Sequence, residues 1–454
     1  MNETRSSFRD PDGFVYAEEG VVYRQINQSY KINYDHLIES GLYDELVEND
    51  LLISHSEVKK KELNENAYKI IQPEQISFIS YPYEWCFSQL KDAAITTLKL
   101  QEKALEYQMS LKDASAYNIQ FIKNKPKLID TLSFELTKKG QPWVAYKQFC
   151  QHFLAPLALM KYKDARLNQL TKAYLDGIPL DLASSLLPAK TSLKYPLLLH
   201  IHLHSKSQKK YINKPQKTNK NMSMNSLLGL IDSLKSSIKK MRTDSKSSHW
   251  QQYYEKEINY DKKSMEEKKR IVKYYLKKAE PTNIWDMGAN IGVFSRIACE
   301  NNVPTISFDI DHSCVEANYL RTKEKNEKNI MPLLLDLTNP SPGIGWNNQE
   351  RMSLIERGPA DTIMALALIH HLAITNNIPL NLLASFFNQL CNKLIIEYIP
   401  KQDSNAKRLW QSREDIFQHY TKANFEHEFR KYFIIKEKQE IKGTQRIMYL
   451  MVKK

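Results

Sequence analysis

Two glycines four residues apart constrain the fold of this chain more than any other feature. Only 12 of the 454 residues are glycine, and Gly288 and Gly292 follow directly after an apolar, strand-like segment. In a strand–turn–helix, the first glycine lets the turn tighten and the second lets the helix pack against the sheet, which leaves bare backbone for a ligand. Asp309 ends the next apolar run, 21 residues after Gly288. An acid at that distance pairs with ribose hydroxyls in a nucleotide-binding βαβ unit.

The segments after Asp309 alternate between helical and strand-like patterns. A helix is predicted at 314–328, followed by apolar strands at 331–335, 361–368 and 394–398. Two β-rich runs, 432–435 and 447–452, close the chain as an antiparallel pair. The pattern predicts an α/β domain with a mostly parallel sheet and a terminal antiparallel hairpin.

The glycine turn, Asp286 to Gly292, resembles the first motif of class I S-adenosylmethionine-dependent methyltransferases, which commonly reads Asp-x-Gly-Ala-Asn-x-Gly. The resemblance covers residues 281–454 and implies a Rossmann-like sheet that binds S-adenosylmethionine. The residues that it assigns to the cofactor are Asp286, Gly288, Ala289, Asn290 and Gly292 at the methionine end, Asp309 at the ribose hydroxyls, and Asp336 and Leu337 beside the adenine. NAD-binding folds are the main alternative interpretation of the glycine turn, but they usually carry Gly-x-Gly-x-x-Gly, which is absent here. The whole-chain pattern is similar to a bacterial group of methyltransferases, some of them labelled nodulation-protein-like.

Sulfonium chemistry needs few catalytic residues, because the methyl group arrives already activated and the protein has only to align a nucleophile and remove its proton. His370 and His371 at the end of the fourth strand, and Glu397 at the end of the fifth, are the candidate catalytic residues that accept this proton. Either histidine can equally cap the strand end or pack in the core, and both interpretations stay open.

The sequence argues against two acceptor classes. Enzymes that methylate the amino group of adenine or glutamine carry Asn/Asp-Pro-Pro-Tyr/Phe after the fourth strand, where this chain has Ala-Leu-Ala-Leu-Ile-His-His at 365–371. The similar Asn-Pro-Ser-Pro at 339–342 follows the third strand instead, and no Pro-Cys nucleophile indicates cytosine C5 chemistry. Oxygen methylation of a small-molecule or glycan acceptor is therefore the predicted reaction.

At 454 residues the chain is too long for this domain alone. We expect an N-terminal domain at 1–204, a basic linker with helices at 205–280, and the methyltransferase domain at 281–454. The sequence has no run of 18 apolar residues that could span a membrane, and from its polar start we expect no signal sequence. Five scattered cysteines without a Cys-x-x-Cys motif predict a reduced, cytoplasmic protein.

A second set of polar residues lies in the N-terminal half. Asp113 and Asn118 are five residues apart, and Asp130 follows twelve later. These spacings resemble the catalytic loop and metal-binding Asp of kinase-like folds. The likeness implies an α+β domain that binds ATP and magnesium, in which Asp113 holds the acceptor hydroxyl while Asn118 and Asp130 coordinate the metal. No glycine-rich loop is visible, and the basic residue that pairs with phosphates is either Arg24 or Lys69. The alternative is that the three polar residues form turns in a helical recognition domain.

Lysines are concentrated between the two halves. The segment 205–222 contains six lysines and no acid, which predicts a mobile linker, and helices are predicted at 226–240 and 262–278. Just before this linker, the alternation of His200, His202 and His204 would place three imidazoles on one face of a strand, as a metal site needs.

The net charge of +13 keeps nucleic acid in consideration as a partner. One alternative is therefore an RNA methyltransferase whose N-terminal half binds RNA, and another is a non-catalytic nucleotide-binding scaffold. Because the basic residues are spread over both halves, solvated lysine faces are the favoured explanation of the charge. The predicted protein is a methyltransferase joined to a kinase-like or pseudokinase domain that recognises the acceptor.

Overall fold

The computed structural model describes residues 2–3, 7–60, 65–204, 222–243, 262–300, 302–403, 406–407, 416 and 418–454. The chain divides into two compact units. The first comprises Met1–Asp244 with Ile344–Arg351, and the second comprises Ser245–Gly343 with Met352–Lys454. The mobile linker predicted at 205–222 lies outside the described residues except for its last one, and it stays a prediction. No helix in the described ranges is long and apolar enough to cross a membrane.

The first unit starts with a five-stranded antiparallel sheet of order β1-β2-β3-β5-β4. Its strands are β1 (Asn2–Glu3), β2 (Gly13–Glu18), β3 (Val21–Asn27), β4 (His55–Glu57) and β5 (Ala67–Pro73). Helices α1 (Lys31–Glu39) and α2 (Leu42–Glu48) connect β3 with β4. Ile26 of β3 and Tyr34 of α1 are buried in one cluster with Leu132, so the helix covers the sheet.

The rest of the first unit is mostly helical around the long α3 (Phe87–Glu106). Two antiparallel pairs follow α3: β6 (Met109–Leu111) with β9 (Phe134–Leu136), and β7 (Ile119–Ile122) with β8 (Lys125–Leu128). The remaining helices are α4 (Tyr146–Phe149), α5 (Ala155–Tyr162), α6 (Leu170–Ala173), α7 (Leu180–Leu186), α8 (Tyr195–Leu197) and α9 (Met224–Lys240). An antiparallel sheet followed by helices is the α+β organisation predicted for the kinase-like domain.

The second unit contains a seven-stranded sheet of order β12-β11-β10-β13-β14-β16-β15. The strands are β10 (Ile284–Met287), β11 (Thr305–Asp309), β12 (Ile330–Leu334), β13 (Ala360–Ala365), β14 (Cys391–Tyr398), β15 (Phe433–Glu440) and β16 (Ile447–Lys453). The first five strands pair in parallel, and β16 is antiparallel to both of its neighbours. This sheet confirms the predicted Rossmann-like class I methyltransferase fold with its terminal hairpin.

Helices cover this sheet because its strands are apolar on both sides. The helices are α10 (Lys262–Ala279), α11 (Val293–Cys299), α12 (His312–Glu324), α13 (Leu380–Leu390) and α14 (Lys422–Arg430). Helix α10 buries Ile271 and Tyr275 against Met448 and other residues of one sheet face. Phe425 of α14 packs on Tyr449, which alternates with Met448 and therefore belongs to the other face.

Candidate cofactor site and kinase-like loop

The glycine turn after β10 depends on left-handed backbone. Gly288 has φ +77° and Gly292 has φ +75°, a conformation that costs residues with a Cβ about 1–2 kcal/mol. A Cβ on Gly288 would lie 3.3 Å from Leu368 Cδ1, and one on Gly292 would lie 2.6 Å from the Asn318 side chain. The turn is tied to β11, because the N–H groups of Gly288 and Ala289 both donate to Phe308 O, at 2.9 and 2.8 Å. Both glycines are therefore required by the local structure.

Asp309 at the end of β11 lies against this turn. Its Oδ2 accepts from Asn290 N at 2.7 Å, and its Oδ1 accepts from Asp311 N at 2.9 Å. Burial raises the pKa of Asp309 to about 6, although these backbone hydrogen bonds act in the opposite direction. The fold thus brings Asp309 and Asn290, 19 positions apart, into direct contact.

Asp286 is the most buried acid of the turn, with 2% of its surface exposed. Ser295 Oγ of α11 donates to Asp286 Oδ2 at 2.6 Å and lies 2.9 Å from Ser307 Oγ of β11. Burial raises the pKa of Asp286 to about 7; the Ser295 hydrogen bond lowers it, and the negative charge of Asp309 raises it. The negative charge of Asp309 therefore makes ionisation of Asp286 less favourable, unless a positive group lies between them.

The third acid predicted at a strand end, Asp336, follows β12. In the parallel register, Asp309 is paired with Leu334, so Asp336 lies two residues beyond the level of Asp309 at the same edge of the sheet. Asp336 Oδ1 accepts from Thr338 N at 2.8 Å and from Thr338 Oγ1 at 2.6 Å, which closes a local turn. Leu337 between them is partly exposed. The residues predicted for the methionine, ribose and adenine parts therefore share one edge of the sheet.

The two histidines follow β13 at this edge and differ in burial. His370 is 1% exposed, and its Nδ1 has no hydrogen-bond partner among the described residues. Burial first, and then the charges of His371, Arg446 and Lys268, hold its pKa well below the usual histidine range. Burial also lowers the pKa of His371, which keeps some exposure. Both imidazoles are therefore neutral near pH 7, and His371 is the more accessible.

Glu397 at the end of β14 is fully buried and ion-paired. Its Oε2 accepts from Lys268 Nζ at 2.7 Å and from Ala367 N at 2.8 Å, and its Oε1 lies 3.7 Å from Arg446 Nη1. Ala367 has φ +52°, so the hydrogen bond to Glu397 supports a left-handed turn just before His370. Sequence reasoning found Glu397 but missed both of its cationic partners.

Arg446 joins two segments of the second unit, and Lys268 carries a weak sequence signal. Arg446 makes a bidentate pair with Asp403, at 2.7 and 2.9 Å, that joins the loop before β16 to the segment after β14. Lys268 lies three residues before Ile271 and seven before Tyr275, so it belongs to the buried face of α10. The sequence signal for Lys268 was its place among the apolar positions of a helix whose other described lysines lie on the polar face.

The kinase-like loop of the first unit gathers its three predicted residues. Asp113 Oδ1 accepts from Ser115 N and Gln148 Nε2, both at 2.8 Å. Burial and the nearby charge of Asp130 raise the pKa of Asp113, while hydrogen bonds, including one from Asn118, lower it. Asp130 Oδ2 accepts from Ser133 Oγ at 2.7 Å. Asp113, Asn118 and Asp130 therefore lie together.

The structure separates the two candidate basic residues. Arg24 of β3 bridges Asp10 and Asp130, with 2.6 Å to each carboxylate. Lys69 pairs with Glu57 at 2.6 Å, away from this loop. Arg24 is thus the cation that the fold brings to the kinase-like residues. Among the described residues, no three His, Cys, Asp or Glu side chains gather as a metal site.

The strand predicted for His200, His202 and His204 is wrong, because α8 continues there as a π-helical turn, Leu198–Leu203. Hydroxyl groups satisfy the buried rings: Tyr146 Oη lies 2.8 Å from His200 Nδ1, and Ser184 Oγ lies 2.8 Å from His202 Nδ1. His200 and His202 are therefore hydrogen-bonded core groups rather than metal ligands on one strand.

No protein-family model matches the chain. Among curated proteins, the chain is similar to the nodulation protein NoeA of Rhizobium meliloti (strain 1021). The two are 32% identical over 453 residues, which cover 98% of this chain and 94% of NoeA.

Three solved structures illustrate the structural matches. The chain is similar to WbdD, with a TM-score of 0.30 and 13% identity, over 44% of this chain and 42% of WbdD, which is less than half of that protein. Magnesium protoporphyrin IX methyltransferase (ChlM) from Synechocystis PCC 6803 gives a TM-score of 0.31 and 15% identity, over 44% of this chain and 91% of ChlM. The N-methyltransferase NodS from Bradyrhizobium japonicum WM9 gives 0.30 and 10%, over 42% of this chain and 98% of NodS.

Proposed function

The chain belongs to the family of the nodulation protein NoeA. From its sheet and its glycine turn we propose that it is an S-adenosylmethionine-dependent methyltransferase acting on an oxygen of a small-molecule or glycan acceptor. One observation carries the proposal. Asp286 and Asp309 end adjacent parallel strands and flank a left-handed glycine turn, and burial raises the pKa of both. A pair of buried acids in this position suits a ligand that is cationic at one end and carries a hydroxyl pair.

The residues present fit S-adenosylmethionine. Asp286 would hold the positively charged methionine end, and the turn from Gly288 to Gly292 would line it. Asp309 has hydrogen-bond capacity beyond the N–H groups of Asn290 and Asp311, because a carboxylate accepts about four hydrogen bonds, so ribose hydroxyls can add to it. Asp336 and Leu337 would lie beside the adenine. The cofactor, when bound, supplies a methyl group on a cationic sulfur, so it needs no metal for activation.

The acceptor hydroxyl has to lose its proton during methylation, and His371 is the proposed catalytic residue for that step. It is neutral at pH 7, so one of its ring nitrogens carries a lone pair, and it is more exposed than His370. The pKa of His370 lies further below the usual range, which makes it the weaker base. Glu397 is fully buried between cations, so we assign it the positioning of the turn at Ala367.

For the first unit we propose recognition of the acceptor. Asp113, Asn118 and Asp130 support binding of ATP with magnesium, since carboxylate and amide oxygens suit that ion. The Arg24–Asp130 pair at 2.6 Å opposes it, because a magnesium ion at Asp130 has to compete with the guanidinium. The proposal therefore includes a kinase-like fold that works without phosphotransfer.

Calorimetric titration of the purified protein tests these assignments, first with S-adenosylmethionine and then with ATP plus magnesium. Binding of S-adenosylmethionine supports the methyltransferase proposal, and its absence would overturn it. Binding of ATP in addition would make the protein bifunctional. The RNA alternative predicts RNA binding whose affinity falls steeply with salt, which a titration at 50 and 200 mM salt measures. The scaffold alternative predicts binding without methyl transfer to any acceptor.

A further inference from the structure

A cavity of about 770 Å³ opens in the second unit where β14, the start of α14 and the hairpin of β15 and β16 meet. Its walls include Tyr398 and Tyr420, two segments that carry lysines, and the hairpin residues Glu440 and Thr444. A volume of several hundred Å³ is typical of sites for small molecules. None of the predicted cofactor or catalytic residues lines this cavity.

The charged lining of the cavity is mainly positive. Among the described residues that line it, three lysines, Lys401, Lys407 and Lys422, face one acid, Glu440. Lys407 and Lys422 make no ion pair within the part of the chain that the structure describes. A lysine outside the cavity does form an ion pair: Lys431, just after α14, pairs with Glu428 at 2.6 Å. The cavity therefore keeps positive charge available for a ligand.

The walls are held by buried contacts rather than by the surface lysines. The Arg446–Asp403 pair, at 2.7 and 2.9 Å, fixes the hairpin to the segment after β14, and Arg446 is 1% exposed. Tyr420 Oη donates to Ile399 O at 2.9 Å, and its ring stacks on Tyr398 at 5.4 Å. The shape of the cavity thus depends on packing that persists without a ligand.

The sheet register relates this cavity to the glycine turn. Met287 of β10 is level with Ala365 of β13, and Ala365 with Ile396 of β14, so Tyr398 emerges at the same edge as the turn. Two strand spacings separate β10 from β14, or about 10 Å. Strand β13 lies between β10 and β14, and the two histidines follow its end. An acceptor can therefore reach from the cavity to the methyl donor past His371.

From this arrangement we propose that the cavity is the acceptor subsite and that it selects an acceptor with a negative group, a phosphate or a carboxylate. The substrate class is then an acidic or phosphorylated sugar. This inference rests on the proposed methyltransferase function. The anionic group binds at Lys407 and Lys422, and the hydroxyl to be methylated lies toward His371.

The test uses the full-length protein saturated with S-adenosylhomocysteine. Glucose 6-phosphate, glucuronate and glucose are titrated against it, with binding followed by ligand-observed NMR. The informative variant is Lys407→Gln/Lys422→Gln. Its matched control is Lys431→Gln/Lys436→Gln, which removes the same charge outside the cavity, from the residue after α14 and from β15.

We expect at least one of the two anions to bind, and glucose to bind about tenfold more weakly or worse, because a charge-assisted hydrogen bond is lost. The cavity variant is expected to weaken the anion about tenfold while S-adenosylhomocysteine binds as before, and the control to change neither. Binding of the phosphate alone identifies a phosphorylated acceptor, and binding of glucuronate alone identifies a carboxylate. Equal anion affinity in the two variants, equal binding of glucose, or binding of no anion would overturn the inference. Failure of the wild-type protein to bind S-adenosylhomocysteine would instead overturn the proposed function.

Discussion

Burial of Asp286 lowers the stability of the folded protein near neutral pH. Its carboxyl group is buried beside Asp309, and burial raises its pKa to about 7. A raised carboxyl pKa means that the folded protein holds a proton that the unfolded chain releases. The contribution of this group to the free energy of unfolding therefore falls as pH rises from about 4 to about 7. A cationic ligand reverses the preference, because it stabilises the charged form.

We therefore predict that the affinity for S-adenosylmethionine rises with pH between about 5.5 and 7.5 and then levels off. Ionised Asp286, with a pKa of about 7, attracts the cationic end of the ligand, and ionised Asp309, with a pKa of about 6, accepts hydrogen bonds from the ribose hydroxyls. Below these values each protonation weakens binding up to about tenfold per pH unit. Calorimetric titrations across this range measure the effect, and Asp286→Asn should remove the upper step. An affinity that is flat across the range would contradict the assignment.

Gly288 gives a second prediction at the residue scale. Gly288→Ala places a Cβ on a backbone with φ +77° and 3.3 Å from Leu368, so we expect a loss of about 1–2 kcal/mol in stability and at least tenfold weaker cofactor binding. Gly229→Ala is the matched control, because Gly229 lies within α9 with open space around it. Because alanine favours a helix more than glycine does, the free energy of unfolding of the control should rise by up to about 1 kcal/mol. Thermal unfolding and calorimetry measure both, and an unchanged Gly288→Ala variant would argue against the site.

The residues that could be predicted from the sequence are those whose role is local. Gly288 and Gly292 could be recognised because glycine is scarce in this chain and because the two are four residues apart. Asp309 could be recognised because it ends an apolar run. Lys268 could not be predicted in the same way, because its partner Glu397 is 129 positions away. In a helix with many lysines, only the buried position distinguishes it.

At the scale of elements, the Lys268–Glu397 pair joins α10 to β14. Lys268→Met would leave the buried carboxylate with Arg446, 3.7 Å away, in place of its 2.7 Å partner, and we expect a loss of about 3–5 kcal/mol in the free energy of unfolding. The double variant Lys268→Met/Glu397→Gln should recover most of that loss, because both charges are gone. Lys269 is an exposed neighbour paired with Glu266, so Lys269→Met should keep the free energy of unfolding within about 0.5 kcal/mol of the wild-type value. Denaturant unfolding gives all three values. A Lys268→Met variant as stable as the Lys269 control would refute the pairing.

The loop between β6 and β9 gives the next prediction. If the first unit binds ATP with magnesium, Asp130→Ala removes a metal ligand and should abolish magnesium-dependent binding. Arg24→Met should instead strengthen magnesium binding at Asp130, because it removes the competing guanidinium at 2.6 Å. Titrations with and without magnesium separate the two effects. An ATP affinity that neither variant changes would place the nucleotide elsewhere or exclude it.

Elements of the second unit were predictable because each one carries its own periodicity. Strands β11 to β16 and helix α12 begin within a few residues of their predicted starts, and the terminal hairpin is confirmed, whereas α13 and α14 were not predicted. The strand predicted at 200–204 failed because alternating histidines also fit a helix when hydroxyl groups from α7 and α4 bond to their rings. Those partners are distant in sequence, so periodicity alone could not show them.

At the scale of the whole molecule, the sequence predicted two halves but not that the first unit includes Ile344–Arg351. This segment carries a bidentate pair from Glu350 to Arg9, at 2.6 and 3.1 Å, and Arg351 lies 4.7 Å from the centre of the Tyr117 ring. Nothing in the composition of 344–351 distinguishes it from other connections between strands. Its partners are more than 200 positions away in the chain, which is why sequence patterns miss it.

A whole-molecule prediction follows from this segment. Glu350→Gln should lower the free energy of unfolding of the first unit by about 1 kcal/mol, a small value because Arg9 is largely exposed. Arg9→Gln should have a similar effect, and the double variant should lose little more than either single one. Denaturant unfolding of the full-length protein, followed by tryptophan fluorescence, measures this coupling. Fully additive losses would show that the two side chains do not interact.

The contribution of Ile344–Arg351 also sets an order of events during translation. Domains near the amino terminus usually fold first, as soon as they leave the ribosome. Here the first unit lacks one of its own parts until residue 351 has been made, when four strands of the second unit remain to be synthesised. The first unit therefore cannot complete its fold until much of the second unit has been synthesised. Ribosome-bound chains ending before and after this segment would differ in protease resistance.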